Sequence, residues 1–216
     1  MSKPILIKMT FEIEERLALE GFSRVCGVDE AGRGPLCGPV YAGAVILPPG
    51  LVPPEGLNDS KKLSERQREA LFDRITEFAL AFGIGSASVE EIEELNILNA
   101  ALLAMRRAVE QVKAAIQPDY LLVDGNIFRG FDIPGRFVVG GDAVSPSIAA
   151  ASVLAKVSRD RVMREYDEIY PEYGFAKHKG YGTKAHYAAI EKQGLCPIHR
   201  PSFFKKYNER RGKGGL

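Results

Sequence analysis

The run Tyr120-Leu121-Leu122-Val123-Asp124 constrains the fold of this 216-residue chain more than any other segment. It is a short, continuous apolar run without polar alternation, which is typical of a strand buried on both faces of a sheet. Its last residue, Asp124, is followed by Gly125. A buried carboxylate must be paired, hydrogen-bonded or bound to a cation, so this strand end is also a place where chemistry can occur.

Helical patterns lie on both sides of this strand. In residues 96–116 apolar side chains recur at helical spacing, and Pro118 ends the pattern. The segment 64–78 begins with Ser64 followed three residues later by Gln67, a capping box at a helix N-terminus. Further helices are predicted at residues 11–20, 145–170 and 184–193.

Three segments rich in apolar or small residues, bounded by glycine or proline, are predicted to be strands: residues 23–29, 40–47 and 79–88. Residues 136–139 are predicted to form another strand, and residues 48–57 a Pro/Gly-rich loop. Strands that alternate with helices predict a mixed α/β fold. A chain of 216 residues suffices for one domain with a core plus an appendage.

The composition, with 45% hydrophobic and 26% charged residues, is ordinary for a soluble globular protein. No apolar run approaches the ~20 residues that a membrane helix needs, and no signal peptide is expected. The three cysteines, Cys26, Cys37 and Cys196, form no CxxC pair, which favours buried thiols and a cytoplasmic location. The histidines lack the spacing of a zinc site and the cysteines offer no ligand pair, so no zinc-type cofactor with nitrogen or sulfur ligands is expected.

Charge is unevenly distributed, although the formal net charge is only +1. Residues 151–216 contain 14 Lys+Arg against 7 Asp+Glu, whereas the rest contains 15 against 21. A basic C-terminal third beside an acidic body suits a polyanion held near a carboxylate-rich site. A solvated basic face with a charged tail would produce the same asymmetry, so both interpretations stay open.

Four acidic residues lie at the ends of predicted strands or in the loops that follow: Asp29, Glu30, Asp124 and Asp142. Converging carboxylates repel one another unless a divalent cation lies between them, and oxygen-only ligands favour Mg²⁺ or Mn²⁺. Two such ions are a recurring device for cutting phosphodiesters. Taken singly, each acid is more often a turn or helix-cap residue, and Asp142 could simply serve the turn before Ser145.

Asp29 and Glu30 are neighbours in the chain, and successive residues of a regular strand point to opposite faces. Both can therefore reach one metal site only if the strand breaks by Glu30. Gly32, Gly34 and Pro35 follow closely and favour such a break.

Glycine-rich segments supply candidate substrate contacts. The glycines of Gly32-Arg33-Gly34 allow the backbone to approach a ligand, so that its N–H and C=O groups can bond a ribose 2′-hydroxyl while Arg33 bonds a phosphate. Further along the chain, Tyr181 can stack on a sugar or base. Additional candidates for substrate contact are Asn58, Ser60, Lys61 and Lys179. Taken alone, each segment is also explained as a polar loop.

Together these segments resemble type 2 ribonuclease H (ribonuclease HII). The resemblance rests on Gly27-Val28-Asp29-Glu30-Ala31-Gly32-Arg33-Gly34-Pro35, Asn58-Asp59-Ser60-Lys61-Lys62-Leu63, Val123-Asp124-Gly125, Gly141-Asp142, AAASVLAKVSRD at residues 149–160, and Lys177-His178-Lys179-Gly180-Tyr181. It runs in order from about residue 25 to residue 202. The joint pattern is highly specific although each fragment is not. The fragment His199-Arg200-Pro201-Ser202-Phe203 also fits, although Pro201 departs from the family pattern at a position with no proposed catalytic group.

The resemblance implies a ribonuclease H-like α/β fold, a five-stranded mixed sheet flanked by helices, with a C-terminal helical extension. The catalytic domain would span residues 1–170, and residues 171–216 would complete the substrate-binding cleft. The implied activity is that of a monomeric endoribonuclease that cuts the RNA strand of RNA/DNA hybrids. It would also incise 5′ to single ribonucleotides in duplex DNA, by two-metal-ion hydrolysis that leaves 3′-hydroxyl and 5′-phosphate ends.

The resemblance also assigns roles by position. Asp29, Glu30, Asp124 and Asp142 take the four metal-binding carboxylate places, for Mg²⁺ or Mn²⁺. The backbone of Gly32, Arg33 and Gly34 takes the place of the 2′-hydroxyl sensor. Tyr181 takes the place of the tyrosine that packs at the RNA–DNA junction.

Two other functional classes stay open on the residues alone. A different carboxylate-metal phosphotransferase or DNA nuclease would share the acids, but it would have no use for Gly32-Arg33-Gly34 and Tyr181. A non-catalytic nucleic-acid-binding module would use the basic C-terminal third. It would leave the acids unexplained, because carboxylates that face a polyanion weaken binding.

Overall fold

The computed structural model describes residues 10–57 and 63–204, which form one five-stranded sheet flanked by helices. In chain order the elements are α1 (Glu12–Leu19), β1 (Val25–Ala31), β2 (Val40–Ile46), α2 (Glu65–Phe78), β3 (Ala81–Ala87), α3 (Val89–Leu95), α4 (Ile97–Ala115), β4 (Tyr120–Asp124), β5 (Gly135–Val138), α5 (Pro146–Ile169), α6 (Phe175–His178) and α7 (Lys184–Gln193). Short 3₁₀ helices lie at Gly141–Ala143 and Pro201–Phe204. Within these described ranges, no helix is both long and apolar enough to cross a membrane.

The sheet is mixed, with strand order β3-β2-β1-β4-β5, and it confirms the predicted α/β fold. β2 pairs antiparallel with β1 and β3, whereas β4 pairs parallel with β1 and β5. Leu121, Leu122 and Val123 of β4 are fully buried, as the uninterrupted apolar run predicts. Because β1 and β4 are parallel neighbours, their acidic C-terminal ends lie at the same edge of the sheet.

Helices bury both faces of the sheet. On one face α4 contributes Ala104 and Ala108 to a core shared with Val28 of β1. On the other face α5 and α2 pack together against Val45 of β2, with Leu71 contributed by α2. Alternate residues of the same strands enter the two cores, as expected for a sheet covered on both sides.

Two glycines allow α5 to lie very close to the sheet. A Cβ atom on Gly27 would lie 2.1 Å from the backbone carbonyl carbon of Ser147, and one on Gly43 would lie 2.3 Å from the carbonyl oxygen of Ala151. Any side chain at these positions would push the helix outwards, because the obstructing atoms belong to its backbone. The glycines of β1 and β2 therefore set the position of α5.

The segment that follows α5 packs on the loop between β1 and β2. Leu36 and Cys37 of that loop share a buried cluster with Phe175, Ile190 and Ile198. The predicted boundary between a catalytic unit and an extension lies close to the C-terminal end of α5. The division itself stays a prediction.

The sequence patterns predict neither α3 nor α6. The strand predicted at residues 79–88 ends too late, because Ser88 is already the N-cap of α3. Ser88 and Glu91 form a capping box with reciprocal hydrogen bonds of 3.2 and 2.9 Å. This signal was present in the sequence, but the apolar run before it masked the helix start.

We expect Gly43→Ala to lower the free energy of unfolding by about 3 kcal/mol, the upper end for overpacking, because α5 must move off the sheet. Chemical denaturation measures this change. Gly56→Ala is the matched control: it has a φ of +87° and open space around it, so it should cost only about 1 kcal/mol of backbone strain. Equal losses in the two variants would contradict the close approach of α5.

Candidate active site

β1 and β4 end side by side, and each carries acidic residues at its end. The last residue pair between them is Val28 with Val123, so Asp29 and Asp124 follow on adjacent strands. A cavity of about 250 Å³ opens at this edge of the sheet. It is lined by Asp29, Glu30, Ala31, Gly32, Arg33, Gly34, Asp124, Ser152, Lys156, Arg159 and Tyr181. Three of the four predicted acids thus share one cavity.

The prediction that β1 breaks by Glu30 is wrong. The strand continues through Ala31, and Glu30 stays in register with Ala42 of β2. The interruption lies in the neighbouring strand instead, because β4 ends at Asp124 and its pairing with β1 has already stopped. Asp29 and Glu30 can line one cavity because β4 no longer covers that edge of β1.

The three carboxylates disfavour one another's charge. Burial, followed by repulsion from Glu30 and Asp124, raises the pKa of Asp29 well above its ordinary value. Hydrogen bonds from the Ser152 side chain and from the backbone N–H of Glu30, at 2.7 Å, act in the opposite direction. Burial also raises the pKa of Glu30, although Arg33 Nη1 donates to Glu30 Oε1 at 3.1 Å. A cation between the carboxylates would relieve this repulsion.

Asp142 lies beside the cavity and is not one of its lining residues. It is buried in the 3₁₀ helix Gly141–Ala143. The N–H of Gly141 donates to Asp124 Oδ1 at 2.6 Å, which brings this turn against the Asp124 carboxylate. A role for Asp142 as a fourth metal ligand stays a prediction.

The predicted sensor residues Gly32, Arg33 and Gly34 lie in the cavity wall together with Tyr181. A Cβ atom on Gly34 would lie 3.7 Å from Cε1 of Tyr181, so the loop backbone and the aromatic ring are neighbours. Tyr181 is 46% exposed, which leaves its ring accessible to a ligand. The structure therefore brings these four residues together with the acids.

The other predicted substrate contacts are placed differently. Lys179 is buried and is not a lining residue of the cavity. Its Nζ donates to the carbonyl oxygen of Ala176 at 2.5 Å and to Glu65 Oε1 at 3.5 Å, so it links α6 to α2. Its predicted phosphate contact stays a prediction. Asn58, Ser60 and Lys61 lie outside the described residues.

Helix α5 adds three lining residues that were not among the predicted site residues, although they lie in the motif at residues 149–160: Ser152, Lys156 and Arg159. Their spacing of four and then three residues places them on one helical face. The Lys156 ammonium donates to Asp160 Oδ1 at 2.6 Å, and burial lowers its pKa. Helical spacing alone could not mark these residues, because surface helices commonly carry polar side chains at such intervals.

The fold also brings Cys37, His186 and His199 together, although their spacing in the sequence indicates no metal site. Their possible ligand atoms lie within 4.8 Å of one another, and all three residues are buried. Nε2 of His186 and Nε2 of His199 are 3.1 Å apart, which is a hydrogen-bonding distance. Such a cluster depends on tertiary contacts that no spacing rule detects.

Comparison with known proteins decides the family, since residues 26–206 match the sequence model of ribonuclease HII. The chain belongs to the ribonuclease HII family. Ribonuclease HII of Clostridioides difficile is 56% identical over 86% of this chain and 72% of its own length. That of Syntrophotalea carbinolica is 56% identical over 88% and 90%. The crystal structure of ribonuclease H2 from Pyrococcus horikoshii is 26% identical with a TM-score of 0.65, over 83% of this chain and 93% of that one.

The chain is therefore an endoribonuclease that acts on RNA/DNA hybrids. Ribonuclease H enzymes depend on divalent metal ions. The cavity of this ribonuclease HII fits such ions, because Asp29, Glu30 and Asp124 offer oxygen donors, which suit hard cations. Burial, together with repulsion between the carboxylates, raises the pKa of Asp29 and Glu30, and a bound cation would relieve both effects.

We expect Asp29→Asn to stabilise the metal-free protein while abolishing cleavage. In EDTA at mildly alkaline pH, the free energy of unfolding should rise by on the order of 1 kcal/mol, because one of three repelling carboxylates is removed. Thermal denaturation with and without Mg²⁺ measures the change, and Mg²⁺ should stabilise the wild type more than the variant.

Asp119→Asn is the matched control for this prediction. Asp119 accepts hydrogen bonds from the backbone N–H groups of Ser23 and Arg24, at 3.0 and 2.9 Å, so its replacement should destabilise the protein. If Asp29→Asn also proved less stable than the wild type in EDTA, repulsion would not be the dominant interaction in the cavity.

Proposed function

We propose that this ribonuclease HII cuts the RNA strand of RNA/DNA hybrids and incises duplex DNA 5′ to a single embedded ribonucleotide. The products carry 3′-hydroxyl and 5′-phosphate ends. The supporting observation is one cavity in which Asp29, Glu30 and Asp124 adjoin residues 32–34 and Tyr181. The carboxylates serve phosphodiester cleavage, while the loop and the ring recognise the nucleotide.

Asp29, Glu30 and Asp124 would hold two divalent ions, Mg²⁺ or Mn²⁺, and Asp142 would complete the set from the adjoining turn. When bound, such ions lower the pKa of an attacking water and offset charge on the phosphate and the leaving oxygen. The protein keeps the carboxylates oriented. Ser152 and a backbone N–H bond Asp29, and the N–H of the 3₁₀ turn bonds Asp124.

The backbone of Gly32, Arg33 and Gly34 recognises the ribose, because its N–H and C=O groups can both bond a 2′-hydroxyl. Gly32 has a φ of +107°, and a Cβ atom there would lie 2.2 Å from Nε of Arg159, so only glycine fits. Arg33 keeps a side chain that is 47% exposed and can contact a phosphate. Tyr181 packs at the RNA–DNA junction.

Residues 171–216 complete the cleft that residues 1–170 form, since Tyr181 enters the cavity wall from the C-terminal segment. The excess of basic residues in 171–216 suits contact with a nucleic-acid backbone, and Lys179 is a proposed contact there. Further proposed contacts to the same backbone are Asn58, Ser60 and Lys61. The enzyme acts as a monomer in the cytoplasm. Free thiols at all three cysteines suit that compartment.

An incision assay on three duplexes of equal sequence tests the proposed function. One is all DNA, one carries a single ribonucleotide, and one has a complete RNA strand. We expect cleavage of the last two with Mg²⁺ or Mn²⁺, no cleavage in EDTA, and an intact all-DNA duplex. Cutting of the all-DNA duplex would instead support a general carboxylate-metal nuclease.

We expect Asp124→Asn to reduce turnover by several orders of magnitude, since it removes a charged oxygen ligand, while substrate binding is largely kept. Single-turnover kinetics and a binding isotherm on the one-ribonucleotide duplex measure the two effects. Asp119→Asn, which precedes the same strand at its opposite end, should cleave normally. Near-normal cleavage by Asp124→Asn in saturating Mg²⁺ would contradict the assignment of this carboxylate.

We expect Tyr181→Ala to lose more activity on a single embedded ribonucleotide than on a continuous RNA strand, because the ring contacts the junction. The ratio of kcat/KM for the two substrates measures this preference. Tyr181→Phe keeps the ring and should keep most of the preference. Equal losses on both substrates for Tyr181→Ala would argue against the junction role.

A further inference from the structure

The segment 198–200 runs alongside the loop that connects β1 to β2. The N–H of Gly38 donates to the carbonyl oxygen of Ile198 at 2.8 Å, and the N–H of Arg200 donates to that of Leu36 at 2.9 Å. This places the segment between the two parts of the cavity wall that recognise substrate. Arg200 contacts the loop that carries Gly32, and His199 contacts the backbone of Tyr181 through His186.

Arg200 is fully buried and directs its guanidinium at carbonyl groups of the loop. Nη2 donates to the oxygens of Gly32 and Gly38, at 2.8 and 2.6 Å. Nη1 donates to those of Pro35 and Arg33, at 2.8 and 3.3 Å. Because these acceptors are neutral, they offset the cost of burying the charge only in part, and burial lowers the pKa of Arg200 to about 9.

His199 and His186 form a hydrogen-bonded chain that ends at Tyr181. Nδ1 of His199 accepts the N–H of Cys196 at 2.9 Å and also lies 3.1 Å from Sγ and 3.2 Å from the carbonyl oxygen of Cys196. With the Cys196 N–H as the donor, the His199 proton is on Nε2. That proton is donated to Nε2 of His186 at 3.1 Å, which leaves the His186 proton on Nδ1. Nδ1 in turn donates to the carbonyl oxygen of Tyr181 at 3.0 Å. Both rings are therefore neutral, in agreement with their lowered pKa values.

These hydrogen bonds disfavour a metal ion between Cys37, His186 and His199. Nε2 of His199 carries the shared proton and has no free lone pair for a ligand bond while Nδ1 accepts a backbone N–H. A dication would also be repelled by two buried guanidinium groups near Cys37. Nη2 of Arg159 donates to the Cys37 carbonyl oxygen at 3.0 Å, and the positive charge of Arg200 lies close enough to favour the thiolate form of Cys37. The cluster is better described as two neutral imidazole rings joined by a hydrogen bond, beside a thiol.

We propose that residues 198–200 are a positioning element for substrate recognition. Arg200 holds the carbonyl groups of the loop that contacts the 2′-hydroxyl, and the neutral pair His199–His186 holds the backbone of Tyr181. One segment thereby sets the distance between the loop and the ring. This inference rests on the proposed function of these two recognition sites, and it assigns Arg200 and the two histidines no direct contact with substrate.

Arg200→Lys tests the first half, because it keeps the charge but loses the planar fork of donors. We expect kcat on the one-ribonucleotide duplex to fall about 100-fold, the usual effect of slight misplacement, with KM largely unchanged. Arg24→Lys, an exposed arginine before β1, is the matched control and should cleave normally. Wild-type kcat in a folded Arg200→Lys protein would overturn the proposal, whereas a wild type that fails to incise would overturn the proposed function instead.

Nitrogen-15 spectra of the wild-type histidine rings test the second half and need no variant to fold. We expect unprotonated signals for Nδ1 of His199 and Nε2 of His186, and protonated signals for their ring partners, unchanged by added Zn²⁺. In activity assays, His199→Phe should weaken the single-ribonucleotide preference as Tyr181→Ala does. His199→Gln, which keeps a donor towards His186, should restore part of it. Imidazolium signals, or signals shifted by Zn²⁺, would contradict the assignment of His186 and His199 as a neutral pair that binds no metal ion.

Discussion

The crowding of three carboxylates at one sheet edge, with Asp29 buried and Glu30 and Asp124 half-buried, is the constraint on which this structure depends. Parallel pairing of β1 with β4 forces Asp29 and Asp124 to the same sheet edge, and Glu30 joins them because β4 ends there. Hydrogen bonds from Ser152, from a backbone N–H and from Arg33 orient these groups, and the positive charge of Arg33 offsets that of Glu30 only in part. The fold thus holds carboxylate groups so close together that a cation between them would favour their charged forms.

The positions of the cavity walls follow from close backbone packing. Helix α5 contributes Ser152, Lys156 and Arg159 to the cavity wall. Its distance from the sheet is set by Gly27 and Gly43. The opposite wall is a glycine-containing loop whose carbonyl groups are held by buried guanidinium groups rather than by regular sheet pairing. Stability and recognition are therefore coupled, because a shift of α5 or of the loop would change the geometry around the carboxylates.

The sheet and its longer helices could be predicted because their signals are local: the apolar run of β4, the period of α4 and the capping box of α2. Asp29, Glu30 and Asp124 could be assigned to one site for the same reason, since they lie at the ends of recognisable strands, whereas the role of Asp142 stays a prediction. The continuation of β1 through Glu30 could not be predicted, because it depends on where β4 ends. Arg200 and the contact between His186 and His199 depend on tertiary packing between segments distant in the chain, which leaves no periodic trace in the sequence.

Anomalous diffraction from crystals soaked with Mn²⁺ would test most directly whether the carboxylate cavity is a two-metal site. With a cleavage-resistant duplex that carries one ribonucleotide, we expect two peaks among Asp29, Glu30 and Asp124, and the phosphate 5′ to the ribonucleotide against them. A cavity without Mn²⁺ density, or density at Cys37, His186 and His199 instead, would contradict this description of the enzyme.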